Sequence, residues 1–146
     1  MVTSKTAAPE LRLTRVLNAP RKLVWDAWTR AEHVSKWLTP APMTTPKCEV
    51  DFRAGGVFSV TMRMPNGVEH PFNARLTEIV PQERLVFVGM VHDDNEATTT
   101  VTVEDLGAKT RLSVHQTYSF ESDATRGAEM GWTQTLKQLE QLVTAT

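Results

Sequence analysis

An apolar stripe in residues 122–143 predicts one long helix at the C-terminal end of the sequence. Its members recur at steps of three or four: Ala128, Trp132, Leu136, Leu139 and Val143. This spacing places them on one face of a helix of roughly 30 Å, with charged and amide side chains on the other. Ser122 or Asp123 is suited to cap its start. Gly127 and Gly131 weaken the first half, which we expect to leave space for another element or a ligand.

Upstream of this helix the sequence predicts β-strands. Six segments between residues 48 and 118 alternate apolar and polar side chains, as half-buried strands do. Turn-forming residues separate them, and Pro65-Asn66-Gly67 is the clearest hairpin signal. Another strand is predicted over residues 10–16. Because short turns join consecutive strands, we expect a seven-stranded antiparallel sheet whose apolar face is covered by the long helix.

Two short helices and a loop are predicted between the first two strands. Pro20 suits the first position of the first helix. Thr29 and Glu32 have the spacing of a capping box, which predicts a second helix that continues to Trp37. Three prolines between residues 40 and 46 predict an irregular loop, because proline lacks the N–H group that a helix or strand uses.

The composition is ordinary for a globular protein and argues against several function classes. Sixteen basic and seventeen acidic side chains give a net charge of −1, so nucleic-acid binding has no electrostatic basis. No apolar run is long enough for membrane insertion. A single cysteine, Cys48, suits a reducing compartment, and the cytoplasm is the predicted location. Residues 1–9 are predicted to be a flexible N-terminus without signal-peptide character, and residues 10–146 to form one domain.

The sequence predicts no catalytic residue, no metal site and no cofactor. The histidines lack the spacing of a helical zinc site, and Cys48 has no CxxC partner. Motifs of serine hydrolases, P-loops and dinucleotide-binding folds are missing as well. Glu49 and Asp51 alternate along one strand. We interpret them as a solvated pair or as ion-pair partners of Arg53 or Arg63.

The tryptophans point to a cavity or an interface, because a buried indole needs a partner for its N–H group. Trp37 and Trp132 are predicted to line a cavity, with plain core packing as the alternative, whereas Trp28 is predicted to cap an end of the sheet. Gln116 and Tyr118 lie on the apolar face of the last strand. They are candidates to present polar groups to a ligand, and a satisfied internal hydrogen bond is the alternative.

The candidate ligand-binding residues lie on the inner face of the sheet, on the inner face of the helix or near the loop. They are Trp37, Phe58, Val60, Phe72, Phe87, Val101, Gln116, Tyr118, Ala128, Trp132 and Leu136. Most of these side chains are apolar, so the predicted ligand is a hydrophobic small molecule. The alternative is that the same side chains fill the interior and leave no space for a ligand.

Several motifs in a fixed order resemble a known family. They are Arg15-Val16, Asn18-Ala19-Pro20, residues 24–29, 33–37 and 48–53, Gly55-Gly56, residues 81–87, and Gly131-Trp132 with Leu136 and Leu139. Over about residues 10–143 the chain resembles the activators of the heat-shock-protein-90 ATPase, within the START-like (polyketide-cyclase, SRPBCC) superfamily. The resemblance implies an α+β helix-grip fold, in which a curved antiparallel sheet surrounds the C-terminal helix. It also implies a deep cavity between them, which holds a hydrophobic ligand in many relatives.

Three functions remain open at this point, because one fold serves many activities. The predicted one is non-catalytic binding of a hydrophobic small molecule. An alternative is a polyketide-cyclase-like or hydrolase-like enzyme that uses Gln116, Tyr118 or His115, although strand alternation turns His115 away from Gln116. Another alternative, a module that activates a chaperone ATPase, is less favoured, because the chain is expected to be too short for that activator's second domain. A homodimer could form through an exposed strand edge.

Overall fold

The patterning of the sequence produces the predicted order of elements in a computed structural model, which describes residues 10–92, 95–118 and 124–144. The elements are β1 (Glu10–Leu17), α1 (Arg21–Thr29), α2 (Ala31–Trp37), β2 (Thr44–Val50), β3 (Val57–Arg63), β4 (Glu69–Val80), β5 (Arg84–His92), β6 (Asn95–Asp105), β7 (Thr110–Tyr118) and α3 (Ala124–Thr144). The predicted turn at Asp93-Asp94 and the predicted caps Ser122 and Asp123 lie outside the described residues.

The seven strands form one curved antiparallel sheet in the order β1-β7-β6-β5-β4-β3-β2. Consecutive strands pair through short turns, except that β1 pairs with β7, so β1 and β2 form the two edges. The side covered by the helices is called the concave face below. These findings confirm the predicted α+β architecture, in which a seven-stranded antiparallel sheet is combined with two short helices and a long C-terminal helix.

Alternation decides which side chains face the helices. In β7 the buried residues alternate, and they are Thr110, Leu112, Val114, Gln116 and Tyr118. The residues between them are less buried. His115 therefore lies on the opposite, convex face, where its Nε2 is 3.6 Å from Glu10 Oε1. The convex position of His115 agrees with the prediction from strand alternation.

The predicted capping box of the second helix is wrong. Thr29 is the last residue of α1, and a single residue, Arg30, separates the two helices. The Arg30 carbonyl accepts the N–H groups of His33 and Val34, and no side chain caps α2. Because the chain turns at one residue, the cap position falls on Arg30, and Thr29 is one residue too early to serve.

The Pro-rich segment is shorter as a loop than predicted. Strand β2 begins at Thr44 and includes Pro46, so only residues 38–43 are irregular. The pairing register of β2 with β3 shifts between Thr44 and Lys47. An edge strand with a bulge needs no N–H donor at the bulged position, and Pro46 fits there without loss of a ladder bond.

Helix α3 covers the concave face through its apolar stripe. Leu136, Leu139 and Val143 are buried and join one core cluster with side chains of the sheet and of the short helices. The stripe predicted from the sequence is therefore the packed face of the second half of the helix. Among the described residues, no helix combines the length and apolar character that crossing a bilayer demands.

Candidate functional site

A polar cluster interrupts the apolar concave face at one end. It consists of Thr99, Gln116, Tyr118 and Trp132, contributed by β6, β7 and α3. The Nε2 of Gln116 donates to Thr99 Oγ1 at 2.8 Å. The Oε1 of Gln116 accepts from the Tyr118 hydroxyl and, at 3.4 Å, from the Trp132 indole N–H. An indole N–H can only donate, so this contact fixes which end of the Gln116 amide carries the oxygen.

The strand register explains why these polar groups meet. Alternation along β7 turns Gln116 and Tyr118 to the concave face, and Thr99 is the cross-strand partner of Gln116. Gln116 is 7% exposed and Tyr118 is 4% exposed. Burial raises the pKa of the Tyr118 hydroxyl, because the phenolate would lose its hydration. Tyr118 is therefore protonated at neutral pH and donates to Gln116.

Three tryptophans connect the polar cluster to the short helices. The rings of Trp28 and Trp132 stack, with centroids 6.0 Å apart, and Trp28 meets Trp37 edge-on at 4.6 Å. Trp37 donates its N–H to the carbonyl of Ala27 at 2.9 Å, whereas the buried N–H of Trp28 has no partner among the described residues. Trp28 and Trp37 are fully buried, and Trp132 is only partly buried. Trp28, predicted to cap an end of the sheet, packs in the core between the other two rings.

An aromatic cluster of Phe58, Phe72 and Phe87 lies on strands β3, β4 and β5. Phe58 and Phe87 stack with centroids 4.7 Å apart, and Phe72 meets Phe87 edge-on at 6.1 Å. Gly89 allows the Phe72 ring to lie against the sheet. A Cβ atom at this position would come within 2.9 Å of both the Phe72 ring and the Ala74 side chain.

Residues with small side chains separate the aromatic cluster from the polar cluster. Ala97 is the cross-strand partner of Gly89 on one side and of Tyr118 on the other. The backbones of Gly89 and Tyr118 are thus two strand spacings, about 10 Å, apart. The intervening sheet carries only the Ala97 methyl group in this row. The Phe72 ring and the polar cluster therefore flank a shallow section of the concave face.

The structure divides the predicted ligand-binding residues into two groups. Six are at most 1% exposed, and these are Trp37, Phe58, Val60, Phe87, Val101 and Leu136. Four keep some exposed surface, and these are Phe72, Gln116, Tyr118 and Trp132. The side chain of Ala128 lies outside the described residues. Only Phe72 and Trp132 of these four are partly buried and not fully buried, and they mark the accessible part of the concave face.

Thr99 is the site residue that the sequence reasoning missed. It lies in a predicted strand and alternates with Val101, which was selected for its apolar side chain. The signal that identifies Thr99 is the β6–β7 register, in which it lies opposite Gln116. Turn-forming residues at 105–107 alone would place Thr99 opposite Ser113, whereas the observed connection spans residues 106–109 and pairs Asp105 with Thr110.

Helix α3 also holds the loop that follows α2, through an amide clamp made of Gln134 and Gln138. Gln138 Nε2 donates to the carbonyls of Trp37 and Thr39 at 2.8 and 2.9 Å. Gln138 Oε1 accepts the N–H of Ala41 at 3.0 Å, and Gln134 donates to the Ala41 carbonyl at 2.8 Å. Gln138 was predicted to face water. It is instead partly buried and bonds to three backbone groups, one at the end of α2 and two in the loop.

The charged side chains supply little to this site. Asp51 and Arg53 form an exposed ion pair at 2.7 Å, one of the predicted arrangements. Burial raises the pKa of the Cys48 thiol, so this thiol is less ready to ionise than a free cysteine. In the part of the chain that the structure describes, no three His, Cys, Asp or Glu side chains lie close enough together to hold a metal ion.

The family described as Activator of Hsp90 ATPase homolog 1-like protein matches residues 18–144. The chain belongs to this family. The match confirms the resemblance inferred from the sequence motifs. No curated protein shows significant similarity to the chain.

Solved structures share the fold over nearly the whole chain. A protein from Chromobacterium violaceum is 34% identical, over 92% of this chain and 96% of its own, with a TM-score of 0.84. A protein from Nitrosomonas europaea is 28% identical, over 93% of this chain and 94% of its own, with a TM-score of 0.82. The AHSA1 protein from Silicibacter pomeroyi is 21% identical, over 94% of this chain and 99% of its own, with a TM-score of 0.84. The last similarity shows the common fold alone.

Proposed function

We propose that this chain binds a small molecule with a hydrophobic body and a hydrogen-bond acceptor, between the concave face and the first half of α3. The observation that carries the proposal is the polar cluster around Gln116. Small-molecule sites typically combine an apolar lining with a few convergent polar groups that orient the ligand. The concave face has this composition at the end where Phe72 and Trp132 remain partly exposed.

One hydrogen-bonding group in the cluster is left for a ligand. A glutamine amide has two N–H donors and an oxygen that accepts two hydrogen bonds. In Gln116 the oxygen has both of its partners, and Thr99 takes one N–H. Among the described residues, the second N–H of Gln116 has no partner. A carbonyl or hydroxyl oxygen of the ligand would accept it, and a buried amide gains most from such a partner because leaving it unpaired costs about 1–3 kcal/mol.

The surroundings of Gly131 and Trp132 on α3 support the same location. A Cβ atom placed on Gly131 would meet nothing within 4 Å. The neighbouring Trp132 is only partly buried, whereas Leu136 and Leu139 in the next turns are 1% and 0% exposed. The fully buried apolar residues of the sheet then form the wall behind the ligand and do not contact it directly. In this proposal the contact residues are Phe72, Gln116, Tyr118 and Trp132.

The test uses anilinonaphthalene sulfonate as an apolar probe, with tryptophan fluorescence as the energy donor. We expect saturable binding of one probe molecule by the wild-type chain. Gln116→Leu removes the polar centre and should weaken binding about tenfold, which corresponds to about 1.4 kcal/mol. Thr117→Val is the matched control, because Thr117 is the adjacent residue on the opposite face of β7, and its affinity should be unchanged.

Either of two results would contradict the proposal. The first is a wild-type chain that shows no saturable binding of the probe. The second is equal affinity in the Gln116→Leu and Thr117→Val variants, both confirmed to be folded at the temperature of the titration. Native mass spectrometry of the purified chain provides an independent measurement, and a hydrophobic small molecule retained by the wild type and lost by Gln116→Leu would support the proposal.

The family description favours a second candidate function, stimulation of the Hsp90 ATPase. Its test is the steady-state ATPase rate of Hsp90 during titration with this chain. A rate that rises and saturates would support this function. A rate that stays constant at a large molar excess of the chain would exclude it.

A further inference from the structure

We infer that the chain has a second small-molecule site, for a short aliphatic carboxylate, in a groove framed by α1, α2 and the C-terminal half of α3. This helix groove has a volume of about 260 Å³. It shares no lining residue with the polar cluster, so it is independent of the ligand site proposed above. Its lining combines apolar side chains with charged ones, and each kind selects one part of the ligand.

The floor and walls of the helix groove are apolar. Ala27 and Val143 form a buried floor, with 3% and 6% of their surfaces exposed. Leu142 is partly buried, and Leu23 is 39% exposed, which makes it one of the most exposed large apolar side chains described. An aliphatic chain lying along Leu23 and Leu142 would remove both from water. Burial of such apolar surface is the main source of affinity for a ligand of this kind.

The rim of the helix groove carries an excess of positive charge. Asp26 is neutralised by Lys22, whose Nζ lies 3.1 Å from the Asp26 carboxylate. His33 and Lys36 also line the groove, and their three-residue separation places them on the same side of α2. Within the described residues, neither has an ion-pair partner. The unpaired Lys36 ammonium therefore favours a ligand with one negative charge.

The volume limits the size of the ligand. The helix groove has a volume of about 260 Å³ and is partly open to solvent. It is slightly smaller than the ~300–1,000 Å³ typical of sites for drug-sized molecules. A straight-chain carboxylate of about ten non-hydrogen atoms, such as octanoate, fits these limits.

The experiment is a titration of the full chain with sodium octanoate, followed by amide NMR spectra. We expect saturable shifts at Leu23, Lys36 and Leu142. Lys36→Met should weaken octanoate binding about two- to fivefold, the range that an exposed ion pair provides. Lys47→Met is the matched control, because Lys47 is an exposed lysine of β2 outside the groove, and its affinity should equal that of the wild type. Octanol, which lacks the charge, should bind the wild type and Lys36→Met equally.

Three results would overturn this inference. One is that octanoate shifts only residues of the polar cluster, which would support the proposed function and remove the second site. Another is that Lys36→Met and Lys47→Met bind octanoate with equal affinity. The third is that the groove signals shift on dilution of the protein alone, which would assign the groove to a second copy of the chain. Binding in the groove without binding of the fluorescent probe on the concave face would support this site alone.

Discussion

The two ends of the concave face belong to one sheet but to different strands, and they are packed differently. At the aromatic end Phe58 and Phe87 stack and are 0% and 1% exposed. At the polar end Gln116 and Tyr118 keep 7% and 4% of their surface exposed, and Trp132 is only partly buried. Stacked apolar rings have no hydrogen-bonding group that needs a partner. An amide, by contrast, can retain one N–H donor without a partner after its other hydrogen bonds are made. The comparison indicates that the aromatic end contributes stability and the polar end contributes recognition.

The largest effect is expected at the aromatic end. Phe87→Ala removes a fully buried ring that contacts Phe58 and Phe72, and it should lower the free energy of unfolding by about 3–5 kcal/mol. Urea denaturation measures this change. Phe72→Ala is the control within the same cluster, and its loss should be smaller because Phe72 is only partly buried. Equal losses in the free energy of unfolding would show that Phe87 is no more closely packed than Phe72.

A smaller loss of stability is expected at the centre of the polar end. Gln116→Leu keeps the shape of the side chain but takes the hydrogen-bond partner from Trp132 and Thr99. The free energy of unfolding should fall by about 1–3 kcal/mol, also measured in urea. Thr117→Val should change it by less than about 0.5 kcal/mol. An unchanged stability in Gln116→Leu would mean that the cluster is not held together by these bonds.

The titration of Tyr118 tests directly whether the polar end is buried, because Tyr118 is the single tyrosine of the chain. Burial raises its native pKa above the unfolded value of about 10. Its stabilising contribution is therefore complete below about pH 10 and is lost as the pH rises through the native pKa. The tyrosinate absorbance band should appear at higher pH in the native chain than in urea.

Tyr118→Phe provides the control for this titration. The variant should lose about 1 kcal/mol at neutral pH with the hydroxyl hydrogen bond. It should also lose less stability than the wild type between pH 10 and the native pKa of Tyr118, because it has no phenol to ionise. Coincident tyrosinate titrations in native and urea-unfolded wild type would contradict the burial of Tyr118.

The smallest effect is a gain of stability from Gly131→Ala. Nothing lies within 4 Å of a Cβ at Gly131, and alanine is a better helix former by about 0.5–1 kcal/mol. The midpoint temperature of thermal unfolding should therefore rise. The same substitution at Gly89, where the Cβ would collide with Phe72 and Ala74 at 2.9 Å, should lower stability. A loss of stability in Gly131→Ala would mean that the space beside Gly131 is filled.

Much of the fold could be predicted from the sequence because its signals are periodic. The stripe through Leu136, Leu139 and Val143 predicted the packed face of α3, and turn residues separated the strands correctly. The errors lie where one residue decides the geometry. Arg30 alone separates two helices, which moved the cap away from Thr29. Pro46 lies at a bulge of an edge strand, a context that the composition of a segment does not reveal.

The candidate site could be predicted only in part, because side-chain contacts depend on register and packing. Alternation was sufficient to place Gln116 and Tyr118 on the concave face, but the partner of Gln116 on β6 required the pairing register. Burial could not be ranked from the sequence either. Phe58 and Phe72 have the same side chain, and both contact Phe87, yet only the packed structure shows that Phe58 is fully buried and Phe72 only partly buried. Homodimer formation and hydrolase-like or cyclase-like activity stay predictions.

The amide clamp joins the interior of this protein to its periphery. Gln138 bonds to the last carbonyl of α2 and to two backbone groups of the loop at residues 38–43. Thr39 in that loop bonds to Thr45 of the outermost strand at 2.6 Å. Because these hydrogen bonds connect α3 to the loop, we expect the two to move together. Any displacement of α3 by an incoming molecule would be transmitted within a few residues to the rim strand β2. Binding of a molecule in the interior would thus shift the edge strand β2, which is exposed to other macromolecules.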